Sequence, residues 1–150
     1  MDSKIVDSNI VDSDTQIHRI DSLAQRLNEL RVDAMMVTDE TNVGYLSGFT
    51  GDSSYLLVRP GRTTILTDGR YQTQIAGECP ALEAAIRPPG QAMMDLVREY
   101  VAGTDLKRIG FEAAHMSVAN FAQLREKCPD VDWVETTAVV EAGRTVSYTH

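Results

Sequence analysis

Two short runs rich in β-branched and apolar residues, Tyr55-Leu56-Leu57-Val58 and Thr63-Thr64-Ile65-Leu66-Thr67, are separated only by Arg59-Pro60-Gly61-Arg62. Proline presets a turn dihedral and glycine tolerates a positive φ, so the tetrapeptide is turn chemistry and the two runs form a hairpin. Hairpin strands are antiparallel, and an all-parallel sheet is therefore excluded. Whatever else this chain builds must join a mixed or antiparallel sheet.

The remaining pattern alternates. Ile17, Ile20, Leu23, Leu27 and Leu30 recur at helical spacing, with Asp14 or Thr15 as N-cap, and predict an amphipathic helix of about four turns. Ala34-Met35-Met36-Val37 is a short buried strand. Thr38 and Asp39 cap a short helical turn through Tyr45. After the hairpin, Asp68 caps a helix that starts near Gly69-Arg70-Tyr71 and runs to about Gly77. Strands follow over Leu82 to Ile86, Arg108 to Glu112 and Val131 to Val134. Helices lie between them, from about Gln91 to Val101 and, capped by Ser117, to about Lys127 with Val118, Phe121 and Leu124 as its apolar stripe. Thr136 or Thr137 opens a last helical turn. This order predicts an α/β fold, a mixed sheet with helices on both faces. Glu78-Cys79-Pro80-Ala81-Leu82 and Lys127-Cys128-Pro129-Asp130-Val131 share one solution: proline stops a helix and a strand begins.

Composition narrows the function. The 150 residues suit one domain, and the net charge of -8 with no basic stripe argues against nucleic-acid binding. No run approaches the roughly 18 apolar residues of a membrane span, and the N-terminus has no basic stretch followed by an apolar one. A cytoplasmic protein with reduced, structural thiols at Cys79 and Cys128 is expected. Residues 1–14 repeat Ile-Val-Asp-Ser at Ile5 and Ile10, are polar, and read as a flexible extension.

Chemistry-bearing motifs are sparse. His18, His115 and His150 lie far apart, without metal-ligand spacing. Asp39, Asp68 and Glu112 each close a strand, where α/β sheets place ligand groups, and a metal-dependent nuclease could use such a set. Helix capping explains Asp39 and Asp68 equally simply. No Gly-x-Ser-x-Gly elbow and no phosphate-binding glycine fingerprint is present. The distinctive segment is Asn42-Val43-Gly44-Tyr45-Leu46-Ser47-Gly48-Phe49-Thr50-Gly51-Asp52, aromatics set among glycines. It reads either as a packed structural loop or as an independent module that binds a peptide or small molecule through Tyr45 and Phe49.

That segment resembles the N-terminal domain of the creatinase/prolidase/Xaa-Pro aminopeptidase family, whose pattern is approximately Asn-x-x-Tyr-Leu-Thr-Gly-Phe-Thr-Gly-Ser. Asn42, Tyr45, Leu46, Gly48, Phe49, Thr50 and Gly51 match, with Ser47 for Thr. Thr67-Asp68-Gly69-Arg70-Tyr71 fits the family's next element, and Ile109-Gly110-Phe111-Glu112 a later strand. The likeness spans about residues 17–142. It implies a six-stranded, ribonuclease-H-like mixed sheet. It also implies a following pita-bread domain that holds two divalent metals such as Mn2+ through Asp, Asp, His, Glu and Glu and cleaves before proline. The N-terminal domain of such enzymes is non-catalytic, assembles a homo-oligomer and walls the entrance of a neighbouring active site. The resemblance thus implies entrance or interface roles for Tyr45, Ser47, Phe49, Thr50, Asp52, Arg70 and Tyr71. It implies structural roles for Asn42, Gly48, Gly51 and Asp68, and no cofactor in this chain. The family continues after Val-Val-Glu as a charged helix, whereas Ala142-Gly143-Arg144-Thr145-Val146-Ser147-Tyr148-Thr149-His150 departs from it, with a glycine that weakens a helix by about 1 kcal/mol. Residues 143–150 are therefore expected to be a divergent tail after a domain over 15–142, in a truncated or frame-shifted product or a domain standing by itself.

Overall fold

Strand β1 (Ala34–Val37) is buried at all four positions. A strand covered on both faces belongs in the middle of a sheet, and that is where it lies. The structure, a computed structural model, describes residues 13–148. β1 pairs antiparallel with β2 (Tyr55–Arg59) on one side and parallel with β5 (Arg108–Glu112) on the other. β2 continues through the expected hairpin into β3 (Arg62–Asp68), with Gly61 at positive φ. β4 (Glu83–Arg87) and β6 (Asp132–Thr136) add in parallel at the two edges, giving the order β4-β3-β2-β1-β5-β6. The mixed sheet has the six strands that the resemblance implied.

Side chains alternate across a strand, so each strand serves two cores. Met35, Val37, Leu56, Val58 and Ile65 face one side. There they meet helices α1 (Ser13–Leu30), α2 (Glu40–Ser47), α3 (Gln72–Glu78) and α6 (Val139–Tyr148) through residues such as Leu27, Leu46, Ile75 and Val140. Met36, Leu57, Leu66, Ile109 and Phe111 face the other side, covered by α4 (Met93–Ala102) and α5 (Val118–Lys127) through Met94, Val97, Val101 and Leu124. Helices thus occupy both faces, as expected. Among the described residues no helix is long and apolar enough to cross a membrane.

Several expectations need correction. The buried line of α1 is Gln16, Ile20, Leu23 and Leu27, and Ile17 is 44% exposed. At about 100° per residue Ile17 falls at the edge of that line, and Gln16 takes the inner position because its Nε2 donates to the Glu78 carbonyl at 3.0 Å. Asp14 and Thr15 lie inside α1 rather than capping it. The flexible extension predicted for residues 1–14 falls outside the described residues, except that Ser13 and Asp14 are helical. Val118, predicted on the apolar stripe of α5, is 87% exposed, because the helix packs through Leu124 and a half-buried Phe121 that stacks on Phe111. The last helical turn is longer than predicted. α6 runs through Gly143 to Tyr148, so residues 143–148 are helical, and packing of Val139 and Val140 against α1 outweighs the propensity cost of one glycine.

Candidate functional site

β1, β3, β4, β5 and β6 point the same way, so their carboxyl ends share one edge of the sheet. Open α/β sheets present ligand groups at that edge. The Asn42–Asp52 segment is built there from its caps inward. Asp39 ends the turn after β1 and accepts from Asn42 N through Oδ2 at 3.1 Å, which starts α2. Gly48 ends the helix at φ 75°, a left-handed conformation that glycine adopts without strain. Ser47 is buried, donating to the Val43 carbonyl at 2.6 Å and accepting from Phe49 N at 3.1 Å. Phe49 then turns inward at 3% exposure and meets Tyr71 edge-on, with ring centroids 5.1 Å apart. Gly51 passes so close to both rings that a Cβ there would lie 2.3 Å from Phe49 Cζ and 2.8 Å from Tyr71 Cε1.

Outside this packed layer lies a charged rim. Asp68 ends β3 and accepts from Arg70 Nε and Nη2, each at 2.9 Å, and from Arg70 N at 3.0 Å. Arg87, at the end of β4, approaches the same carboxylate at 3.5 Å. The Arg70 hydrogen bonds hold the Asp68 carboxyl below its ordinary pKa. Arg70 itself is exposed and reaches toward Asp52 at 3.7 Å. The Tyr71 hydroxyl donates to Asp52 Oδ1 at 2.5 Å, which raises the phenol's pKa. Thr50 N and Oγ1 donate to Glu78, and Gln74 Nε2 donates to Thr50 Oγ1 at 2.7 Å. A hollow of about 320 Å³ opens beside Asp68, Arg70, Arg87 and Pro88.

The predicted site residues therefore separate into layers. Thr50, Asp52, Asp68, Arg70 and Tyr71 come together on the rim, whereas Ser47, Phe49 and Gly51 lie beneath it as support. Tyr45 is elsewhere. Its ring lies under the Arg19 guanidinium at 4.0 Å, in a cavity of about 460 Å³ between α1, α2 and α6. Asn42 is fully buried, donating to Glu112 Oε2 at 2.7 Å and accepting from Arg144 at 2.9 Å. Sequence reasoning did not find Glu78, Gln74 or Arg87. The signal for Arg87 was its place at a strand end, obscured by the chain-breaking prolines after it.

The acidic trio considered for a nuclease does not assemble. Glu112 accepts from Thr38 N at 2.7 Å and Asp39 N at 2.9 Å, so Asp39 and Glu112 are neighbours. Asp68 is spent on its arginines at the end of β3, two strand positions from β1 and three from β5. His115 is not the lone histidine that its spacing suggested: its Nε2 lies 2.6 Å from Glu141 Oε2 and its Nδ1 3.5 Å from Asp39 Oδ1. The Glu141 hydrogen bond raises the His115 pKa. Both cysteines are free and buried, and burial pushes the Cys79 thiol up to about 11, which keeps it protonated. The rim offers a cation, carboxylates and a phenol, groups that can hydrogen-bond and position a polar partner.

Comparison with known proteins agrees with this architecture. The family described as "Creatinase/Prolidase N-terminal domain" matches residues 19–146. The uncharacterized peptidase YqhT of Bacillus subtilis is 27% identical over 128 residues, which cover 85% of this chain and 36% of that protein. The chain thus spans about a third of the length of this curated relative. The crystal structure of the N-terminal domain of the cytoplasmic peptidase PepQ from Mycobacterium tuberculosis is 31% identical, with a TM-score of 0.76 over 83% of this chain and 97% of that one. The N-terminal domain of a metallopeptidase from Corynebacterium diphtheriae is 35% identical, with a TM-score of 0.71 over 81% and 96%. A Xaa-Pro dipeptidase from Bacillus anthracis shares the fold at a TM-score of 0.80 and 23% identity, covering 86% of this chain and 36% of that one.

Proposed function

The chain belongs to the creatinase/prolidase N-terminal domain family, and from that premise we propose that it serves a Xaa-Pro peptidase as a non-catalytic domain that supports oligomer assembly and shapes the active-site entrance. The observation that carries this reading is the exposed Arg70 held rigidly on the rim by a two-pronged bond to Asp68. A guanidinium fixed in this way retains N–H donors for a substrate carboxylate or for a neighbouring catalytic domain. Asp52 and Tyr71 frame it, and the buried Phe49–Gly51 layer fixes the height of the rim. Cleavage belongs to a pita-bread catalytic domain, which supplies the two divalent metals. The description of the Mycobacterium tuberculosis relative as a cytoplasmic peptidase supports action in the cytoplasm.

Two measurements test the proposal. The 150-residue chain loaded with Mn2+ is expected to show no Xaa-Pro cleavage, and clear turnover would overturn the non-catalytic assignment. In a longer protein that carries the catalytic domain, Arg70→Ala is expected to raise KM about tenfold, the worth of one charge-assisted contact of about 1.4 kcal/mol, with kcat nearly unchanged. An unchanged KM would remove Arg70 from the entrance.

A further inference from the structure

Four elements bring their donor groups to one point beside the end of β5. Glu112 closes that strand, His115 ends the short turn Ala113–His115 after it, Glu141 lies in the first turn of α6, and Asp39 caps α2. One donor atom from each of Glu112, His115 and Glu141 lies within 4.8 Å of the other two. Ligands about 2.0–2.2 Å from a shared tetrahedral ion stand roughly 3.3–3.6 Å from one another, so His115 Nε2 and Glu141 Oε2, 2.6 Å apart here, would part by about 1 Å to admit one. His115 and Glu141 are about one-third exposed, which leaves an ion a path from solvent.

The hydrogen bonding around this point has the form of a metal site's outer support. A neutral imidazole has one N–H and one lone pair, yet both His115 nitrogens face carboxylate oxygens. With the Nδ1 proton directed at Asp39, the Nε2 lone pair opposes Glu141 Oε2, and a positive charge is needed between them. Metal-bound histidines commonly donate their other ring N–H to a carboxylate, the place that Asp39 occupies. Glu112 is held in orientation by Thr38 N, Asp39 N and the Asn42 amide. Three carboxylates surround the single imidazole, and the nearby Arg144 is engaged with Asn42 Oδ1.

We propose that Glu112, His115 and Glu141 bind one divalent transition-metal ion of the Zn2+ type, with Asp39 as the outer carboxylate on His115 Nδ1. The mixed imidazole and carboxylate donors suit such an ion. Its place, at the junction of β5, α2 and α6, makes it a structural clip for the last helix, separate from any ion used in peptide cleavage and a departure from the expectation of no metal in this chain.

Calorimetric titration of the 150-residue chain with Zn2+ at pH 7 tests this directly. One ion per chain is expected, together with a raised thermal midpoint. His115→Ala and Glu141→Gln should each abolish that binding, and Asp39→Asn should weaken it about tenfold or more. His18→Ala, in the separate cavity lined by Tyr45, should leave it unchanged. Absence of binding, with His115 merely protonating between its carboxylates, would overturn the proposal. So would binding that survives Glu141→Gln in a variant whose circular dichroism shows it folded.

Discussion

Gly51 is held to the size of a hydrogen atom by two rings at once. A methyl placed there would lie 2.3 Å from Phe49 Cζ, and Phe49 is itself wedged against Tyr71 beneath the rim. Gly51→Ala should therefore destabilise the fold by about 1–3 kcal/mol, the range for overpacking, read as a lower urea midpoint with an unchanged slope. The same shift should loosen the Tyr71–Asp52 bond, because the phenol cannot move independently of its ring. Single residues of this kind were partly legible in the sequence. Asp39, Asp68 and Ser117 stand just before helical segments, and all three accept the capping bond expected of them. Glu112 was not legible as a buried organiser, since its partners Thr38, Asp39 and Asn42 lie 70 or more positions away. The convergence of His115 with Glu141 was hidden for the same reason. Sequence spacing reports neighbours along a helix or strand and is silent about neighbours made by the sheet.

Among the elements, α5 separates apparent from actual packing. Val118 and Leu124 both fit a helical stripe, yet one is 87% exposed and the other fully buried. Val118→Ser should change stability by less than about 0.5 kcal/mol, whereas Leu124→Ala should cost about 2–5 kcal/mol. Thermal melts of the two variants compare them directly. Strands were read well because the hairpin and the short apolar runs carry their own turn signals. Helix faces were read less well at their ends, as at Ile17 and Val118, where an apolar residue at helical spacing lies off the line that the helix buries. α6 shows the complementary case. Its composition predicts a weak helix, and its contacts with α1, including Arg26 Nη1 donating to the Val139 carbonyl at 2.6 Å, sustain it.

For the molecule as a whole, acid is the expected weakness. Glu83 on the edge strand accepts from the Tyr100 hydroxyl and from Arg62, which together hold its pKa down to about 2 against an ordinary 4.5. Asp33, under the Arg108 and Lys107 backbone amides, is also lowered. A carboxyl with a depressed folded pKa contributes its stability above the unfolded value and loses it as pH falls through the folded one. The share of the thermal midpoint that these carboxyls supply should therefore be level above pH 4.5 and fall between there and about pH 2, and Glu83→Gln should flatten part of that limb. The order of the strands bears on a different event, the emergence of the chain from the ribosome. β1 to β4 are contiguous in sequence and can pair as they appear, but the second edge of β1 waits for β5. Until residue 108 is made, Ala34-Met35-Met36-Val37 is an uncovered, uncharged strand edge of the kind that recruits other chains. A chain halted just before β5 should sediment as aggregate, and one halted after β6 should remain in the supernatant. Slow synthesis through that interval would then lower the yield of this protein.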